Sequence, residues 1–379
     1  MEATPEISST PAPVSKWRLI WRSAIYFFIG LLVFLFSLDL MISSLQQLGT
    51  VVDNAILLAT SNPFTGLFIG LLVTAIIQSS STTTSLTVAL VASGSLSLPG
   101  AVPIIMGANI GTTITSTIVS LGFINHKKEF RRAVSAGTYH GFFKILTALI
   151  LFPLEYNFHF LSGLAQFVAV IFFHEPTVVG TSNFKLLGSS LSWPVSFLTE
   201  KIHNGYFLAA LSVVLLLGSI LFFRKVITQV MGLGSEGRLQ QFFFKNLYKS
   251  FGWGILTTAA IRSSTVTTSL VVPLVAKKTI KLRQGAAFIL GANIGTTITA
   301  FMASTFNSNA AISIALTHFL FNFIGVLLFF RTPVLKEIPF YLAMGMGRLT
   351  LRNRLVGFLY LLVVFFLIPF SLIFLSQEF

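Results

Sequence analysis

Two stretches of this 379-residue chain have the composition of an anion site: Gln78-Ser79-Ser80-Ser81 and Arg262-Ser263-Ser264-Thr265. Each offers a long donor side chain followed by hydroxyls, and each lies inside an otherwise apolar stretch, where hydroxyls make a poor core. If the chain turns there, the hydroxyls fall at the start of a new helix. The free N–H groups and the dipole of that helix end both favour an oxyanion. A second pair, GANIGTTIT at Gly107–Thr115 and again at Gly291–Thr299, repeats Asn109 and Thr112 as Asn293 and Thr296. With Thr83 and Thr267, these offer the hard oxygens that a cation such as Na⁺ takes. Asp39, His140, Lys144, His318 and Asn322 complete the set of polar residues placed in apolar runs. The bland alternative is that small hydroxyl residues let transmembrane helices pack closely. Duplication argues against it, because both motif pairs recur at one offset of 184 residues (291 − 107 and 258 − 74).

The elements that position these residues follow from composition. The chain is 54% hydrophobic and 9% charged, with a mean hydropathy of +0.86, whereas a soluble domain carries about 25% charged residues. Apolar runs near membrane-spanning length recur at Ser23–Leu45, Tyr206–Phe223, Ala310–Phe330 and Leu355–Leu375. This predicts an all-α polytopic membrane protein. The first run is too long for a removable signal peptide. With no cysteines, disulfides, thiol catalysis and Cys-based metal sites are excluded. The net charge of +14 resides in short clusters between apolar runs, the pattern of cytoplasmic loops and not of nucleic-acid binding.

Those clusters orient the chain. Placing them all inside predicts a cytoplasmic tail over residues 1–22, disordered over its first dozen residues, and a first transmembrane repeat over 23–153. An external loop region follows over 154–205, a second repeat over 206–330, and a cytoplasmic linker with a final transmembrane helix over 331–379. Residues 63–91 are too few to cross twice and are expected to form a re-entrant hairpin, as are 251–276. The apolar stretch 158–173 does not fit the charge count as a crossing and is assigned to the external loop region. The loop Ser93–Gly100 is uncharged, while its counterpart Lys277–Arg283 is basic, so the two belong on opposite sides. The expectation is two inverted-topology repeats, each with a re-entrant hairpin and a broken transmembrane helix, and a binding site between them.

On these motifs the sequence resembles the type II sodium/phosphate cotransporter family, in a short, bacterial-style form. The resemblance rests on QSSSTTTS, PIIMGANIGTTITSTIVS, FSLDLMISSLQQLG (Phe36–Gly49), EFRRA (Glu129–Ala133), HGFFK (His140–Lys144), HFLFN (His318–Asn322) and FFLIPFSLIFLS (Phe365–Ser376). It implies secondary active uptake of inorganic phosphate coupled to Na⁺ by alternating access, in a cell (cytoplasmic) membrane. It also implies phosphate at Gln78, Ser79, Ser80, Ser81, Ser263 and Ser264, with Thr265 in place of a third serine.

Two positions depart from the family pattern, and both gain positive charge: Arg262 stands where glutamine is usual, and Lys144 where asparagine is usual. Arg262 is expected to bind phosphate through its bidentate fork. Lys144 either snorkels to an interface or sits at mid-depth. Either cation could take the place of a sodium ion, which leaves a phosphate exporter or sodium-independent facilitator as the alternative function. Asp39 is open to two roles, Na⁺ ligand or ion-pair partner of a basic group. His140 and His318 are expected to hydrogen-bond structurally, with proton coupling as the alternative. Neither a zinc HExxH motif nor a glycine-flanked nucleophile is present, so an enzyme is not expected. No cofactor is expected beyond Na⁺ as coupling ion, and the partners are phosphate, Na⁺ and membrane lipid.

Overall fold

A computed structural model of the chain describes residues 16–48, 62–173, 188–231, 242–304 and 309–376. The tail up to residue 15 and residues 174–187 of the expected external loop region lie outside the described residues. The first half comprises α1 (Lys16–Leu48), α2 (Pro63–Ile77), α3 (Ser80–Ala92), α4 (Leu98–Gly111), α5 (Ile114–Leu121) and α6 (Lys127–Phe158). Next come α7 (Phe160–Phe173), α8 (Gly188–Lys201) and α9 (Gly205–Met231). The second half repeats the pattern with α10 (Leu247–Ile261), α11 (Ser264–Ala276), α12 (Leu282–Gly295), α13 (Thr297–Ser304) and α14 (Asn309–Val326). The chain ends with α15 (Glu337–Arg352), α16 (Leu355–Leu362) and α17 (Ile368–Ser376). Among the described residues, six helical stretches are long and apolar enough to cross a membrane: Phe28–Leu45, Leu98–Leu121, Lys127–Phe158, Leu282–Ser304, Asn309–Arg331 and Leu355–Leu375.

Local chemistry sets the helix starts. Asn62 and Asn246 cap α2 and α10, accepting hydrogen bonds from Phe64 N (2.9 Å) and Lys249 N (2.8 Å). Glycines then bring α2 against α4. A Cβ at Gly107 would fall on the Leu67 carbonyl, one at Gly111 on the Leu71 carbonyl, and one at Gly70 on the backbone of Ile104. The second half does the same with Gly291 on Phe251, Gly295 on Ile255 and Gly254 on Phe288. The duplicated Gly-x-x-x-Gly is therefore an intramolecular packing seam, which neither a dimer contact nor a ligand site requires.

The halves also interlock. Helix α11 of the second half packs on α5 and α6 of the first, and α3 of the first packs on α13 and α14 of the second. The apolar cores follow this exchange. One joins Met106 and Ile110 to Ile314 and Phe321; the other joins Tyr139 and Phe143 to Val272, Phe288 and Phe329.

Helix α6 has 32 residues and is about 48 Å long at ~1.5 Å per residue, so it serves as a ruler. Near its start, Arg132 Nε donates to Ala276 O at 2.6 Å, next to the loop 277–281. Near its end, the Phe152 ring lies 4.8 Å from that of Phe64. Two residues on, Gly66 abuts Pro103 and the Gly100 carbonyl. The two equivalent loops thus lie at opposite ends of α6. Arg131, Arg132, Lys278, Lys281 and Arg348 line one cavity of about 460 Å³, so basic clusters far apart in sequence share one face.

Three features add detail to the expected organisation. Residues 160–173 form a helix, not a loop. Glu155 Oε2 accepts from Leu161 N (2.7 Å) and Ser162 N (3.1 Å), capping α7 after His159 reverses the chain at φ 50°. Ala165 and Ala169 then pack on Ile312 and Leu316 of α14. At 14 residues and ~1.5 Å per residue, this helix is about 21 Å long, short of a crossing. The linker after residue 331 is largely α15, lying along α6 with Gly347 against Arg131 O and Ser135 Oγ. Lastly, the expected helix breaks are tightened turns. Thr112 (φ −55°, ψ −27°), Thr113 (φ −77°, ψ −10°) and Thr296 (φ −70°, ψ −22°) stay right-handed, and Thr113 N bonds Ile110 O at 3.0 Å, three residues back.

Candidate functional site

Each hairpin turns on a residue in the left-handed region. Helix α2 ends at Gln78 (φ 56°, ψ 30°), whose N–H still reaches Thr74 O at 2.7 Å. Ser79 is extended (φ −147°, ψ 100°) and starts α3 by accepting from Thr82 N at 3.3 Å. The second hairpin repeats this within a few degrees. Arg262 has φ 58° and ψ 26°, with its N–H on Thr258 O at 2.6 Å. Ser263 has φ −146° and ψ 103° and caps α11 through Val266 N at 3.4 Å. The arms of each hairpin are tied by one threonine pair, Thr74–Thr83 and Thr258–Thr267, both at 2.8 Å. A left-handed glutamine and arginine are costly where glycine would be free, and such strain gathers at ligand clamps.

The two turns meet. Thr265 Oγ1 donates to Gln78 O at 3.4 Å, which joins the start of one returning helix to the end of the other hairpin's entering helix. Arg262 is buried (6% exposed), with its guanidinium carbon 5.6 Å from the centre of the Phe34 ring on α1. Some hydroxyls of the two returning helices are engaged by the helix itself: Thr83, Thr87, Thr267 and Thr268 donate to carbonyls four residues back. Ser80, Ser81 and Ser264 stand in the first turn, where no earlier helical carbonyl exists. They are buried, and their hydroxyls hydrogen-bond to no described residue.

A second polar cluster lies where the halves interlock. Lys144 Nζ donates to Asn109 Oδ1 at 2.7 Å and also to Asn322 Oδ1. Asn322 Nδ2 donates to Asn109 Oδ1 at 3.1 Å and to His318 O at 2.8 Å. His140 Nε2 pairs with Asn293 Oδ1 at 2.9 Å, whereas both ring nitrogens of His318 are buried without a hydrogen bond to any described residue. Lys144 is 0% exposed, so snorkelling is excluded. Asp39 is half-buried on α1 and forms no ion pair with a described residue, so the structure pairs it with neither cation.

Thr112 and Thr296, expected as cation ligands, are buried with unpartnered hydroxyls. So are the hydroxyls of Thr115 and Thr299, which residue-by-residue reading passed over although both close the repeated GANIGTTIT. Orphaned hydroxyls at matched positions of both halves are oxygen donors left available for a cation. Thr84 and Ser85 in the first hydroxyl run are orphaned as well.

An all-helical membrane protein with duplicated hairpins meeting at their turns, and spare oxygen and N–H groups between them, has the build of a transporter. The comparisons agree. The Na⁺/Pi-cotransporter family profile matches residues 33–173 and 215–356, one stretch in each half, and the chain belongs to that family, whose members are transporters and not enzymes. It is 33% identical to sodium-dependent phosphate transport protein 2A of Oryctolagus cuniculus, over 91% of this chain and 66% of that protein. It is 30% identical to protein 2B of Pongo abelii, over 90% of this chain and 64% of that protein. Its identity to protein 2B of Homo sapiens is 29%, over 90% and 64%. The chain thus spans about 64% of the length of these 2B relatives. No solved structure matches it.

Proposed function

We propose that this protein takes up inorganic phosphate together with Na⁺ by alternating access between two inverted repeats, residues 23–153 and 206–330, in a cell membrane with the N-terminus cytoplasmic. The observation that carries the reading is the meeting of the two hairpin turns, with Ser80, Ser81 and Ser264 left unspent beside it. Phosphate sits between the starts of α3 and α11. First-turn N–H groups and serine hydroxyls bind its oxygens from both sides, Gln78 and Thr265 border it, and Arg262 supplies a charged fork. Ser79 and Ser263 shape the turns as caps. Na⁺ is held by hydroxyl and amide oxygens of the flanking motifs, among them Thr112, Thr296 and Asn293, with Asp39 as a further candidate. His140 orients Asn293. The hairpins at 63–91 and 251–276 are re-entrant, and the placement of their following loops at opposite ends of α6 supports the inversion.

The test is uptake of radiolabelled phosphate into proteoliposomes with an inward Na⁺ gradient, or with choline in its place. Uptake that accumulates phosphate only with Na⁺ is expected. A second reading, a sodium-independent facilitator or an exporter, is favoured by the buried cations Lys144 and Arg262. Equal uptake in choline, never exceeding equilibrium, would establish that reading in place of the first.

A further inference from the structure

Lys144 is wholly buried and has no acidic partner among the described residues. Its ammonium is held by two amide oxygens, Asn109 Oδ1 from the first half and Asn322 Oδ1 from the second. The rings of Phe143 and Phe321 lie 5.8 and 5.5 Å from Nζ. Neutral amide oxygens and aromatic faces can hold a bound cation, whereas the lysine of an ion pair faces a carboxylate. The internal repeat sharpens this. HGFFK and HFLFN match at an offset of 178 residues (318 − 140), which pairs Lys144 with Asn322. Were position 144 also an amide, three amide oxygens would surround the point now filled by Nζ. A buried ammonium is expensive, and an amide would bridge the halves with no charge at all, so bridging does not account for a lysine.

We propose that the Lys144 ammonium is a tethered cation occupying a coupling-ion position between the two halves, so that this protein needs one Na⁺ fewer per phosphate than it would with an amide there. The inference rests on the Na⁺-coupled reading above. The amine is covalently tethered and stays in the empty carrier, where in its protonated form it helps to offset the charge of phosphate at every Na⁺ concentration.

The experiment is equilibrium binding of radiolabelled phosphate to purified protein at constant ionic strength, with Na⁺ varied against choline. Lys144→Asn is expected to bind phosphate at least tenfold more weakly at low Na⁺ and to recover at high Na⁺. The slope of log affinity against log Na⁺ should rise by one relative to the wild type. Lys144→Gln, which keeps more of the side-chain length, carries the same expectation should the asparagine variant fail to fold. Lys144→Met, with neither charge nor oxygen, should lose affinity and keep the wild-type slope. Unchanged slopes in the amide variants, or a slope that rises by one in the methionine variant as well, would overturn the inference and make Lys144 a structural bridge. Wild-type protein that binds no phosphate at any Na⁺ would instead sink the transport reading on which the inference stands.

Discussion

At the scale of the residue, a hydroxyl's place in the helix decides whether a backbone carbonyl lies within its reach. A serine or threonine within a helix can donate to the carbonyl three or four residues back, as Thr87 does to Thr83 O at 2.9 Å. One in the first turn has no such carbonyl, so Ser80, Ser81 and Ser264 keep their donors. Ser80→Ala and Ser264→Ala should each weaken phosphate binding about tenfold or more, since a hydrogen bond to a charged group contributes about 1.5–3 kcal/mol. The thermal midpoint in the absence of phosphate should barely move. Binding unchanged in both variants would return these serines to packing. Arg262→Gln should weaken binding and make it more Na⁺-dependent, and Arg262→Lys should restore only part of the affinity, because a point charge cannot copy a bidentate fork. Identical phosphate-against-Na⁺ curves for wild type and Arg262→Gln would make the guanidinium, stacked on Phe34, a purely structural group.

At the scale of the element, the two hairpins are built alike. Their turns agree within a few degrees in φ and ψ at Gln78 and Arg262 and at Ser79 and Ser263. Each entering helix is pressed against the following long helix by glycines that leave no room for a methyl group. Gly107→Ala and Gly291→Ala should therefore each cost about 1–3 kcal/mol through overpacking, read as a lower thermal midpoint of the purified protein. Gly218→Ala on α9 has nothing within 4 Å of the added carbon and should leave the midpoint unchanged. If all three variants melt alike, the seam is looser than described. The motif Gly-x-x-x-Gly was plain in the sequence, but its partner was not. A close approach is a property of two surfaces, and the carbonyls of Leu67 and Phe251 lie 40 residues from the glycines they meet (107 − 67 and 291 − 251).

At the scale of the whole molecule, the geometry that matters is the exchange of returning helices, α3 onto the second half and α11 onto the first. In the alternating-access reading proposed above, rocking of one repeat against the other would act across that shared interface. The cysteine-free chain allows a direct test of topology. Ser95→Cys and Thr279→Cys, in the loops at opposite ends of α6, should differ in labelling by an impermeant thiol reagent added to intact cells. Only Ser95→Cys should react from outside. Labelling of both from one side would refute the inverted arrangement.

The sequence by itself determined the solvent, the helical class, the duplication, and the positions of both turns, because composition and a constant offset of 184 residues are readable along one dimension. It also singled out Arg262 and Lys144, since charges within apolar runs stand out without coordinates. Only the tertiary structure decided what those residues touch. Lys144 meets Asn109 and Asn322 across 35 and 178 residues of chain, and no local propensity encodes such pairings. The helix at 160–173 was missed for a similar reason. Its start is stabilised by a carboxylate on the preceding helix, Glu155, which no apolar count or positive-inside tally weighs. Asp39, prominent in the sequence as an acid within a span, forms no ion pair with a described residue: its helix packs chiefly on α9 and not against α6, which carries Lys144, and Arg262 approaches that helix at Phe34 instead. Spacing along the chain locates a motif, but only the crossing of helices far apart in sequence decides which charges face one another.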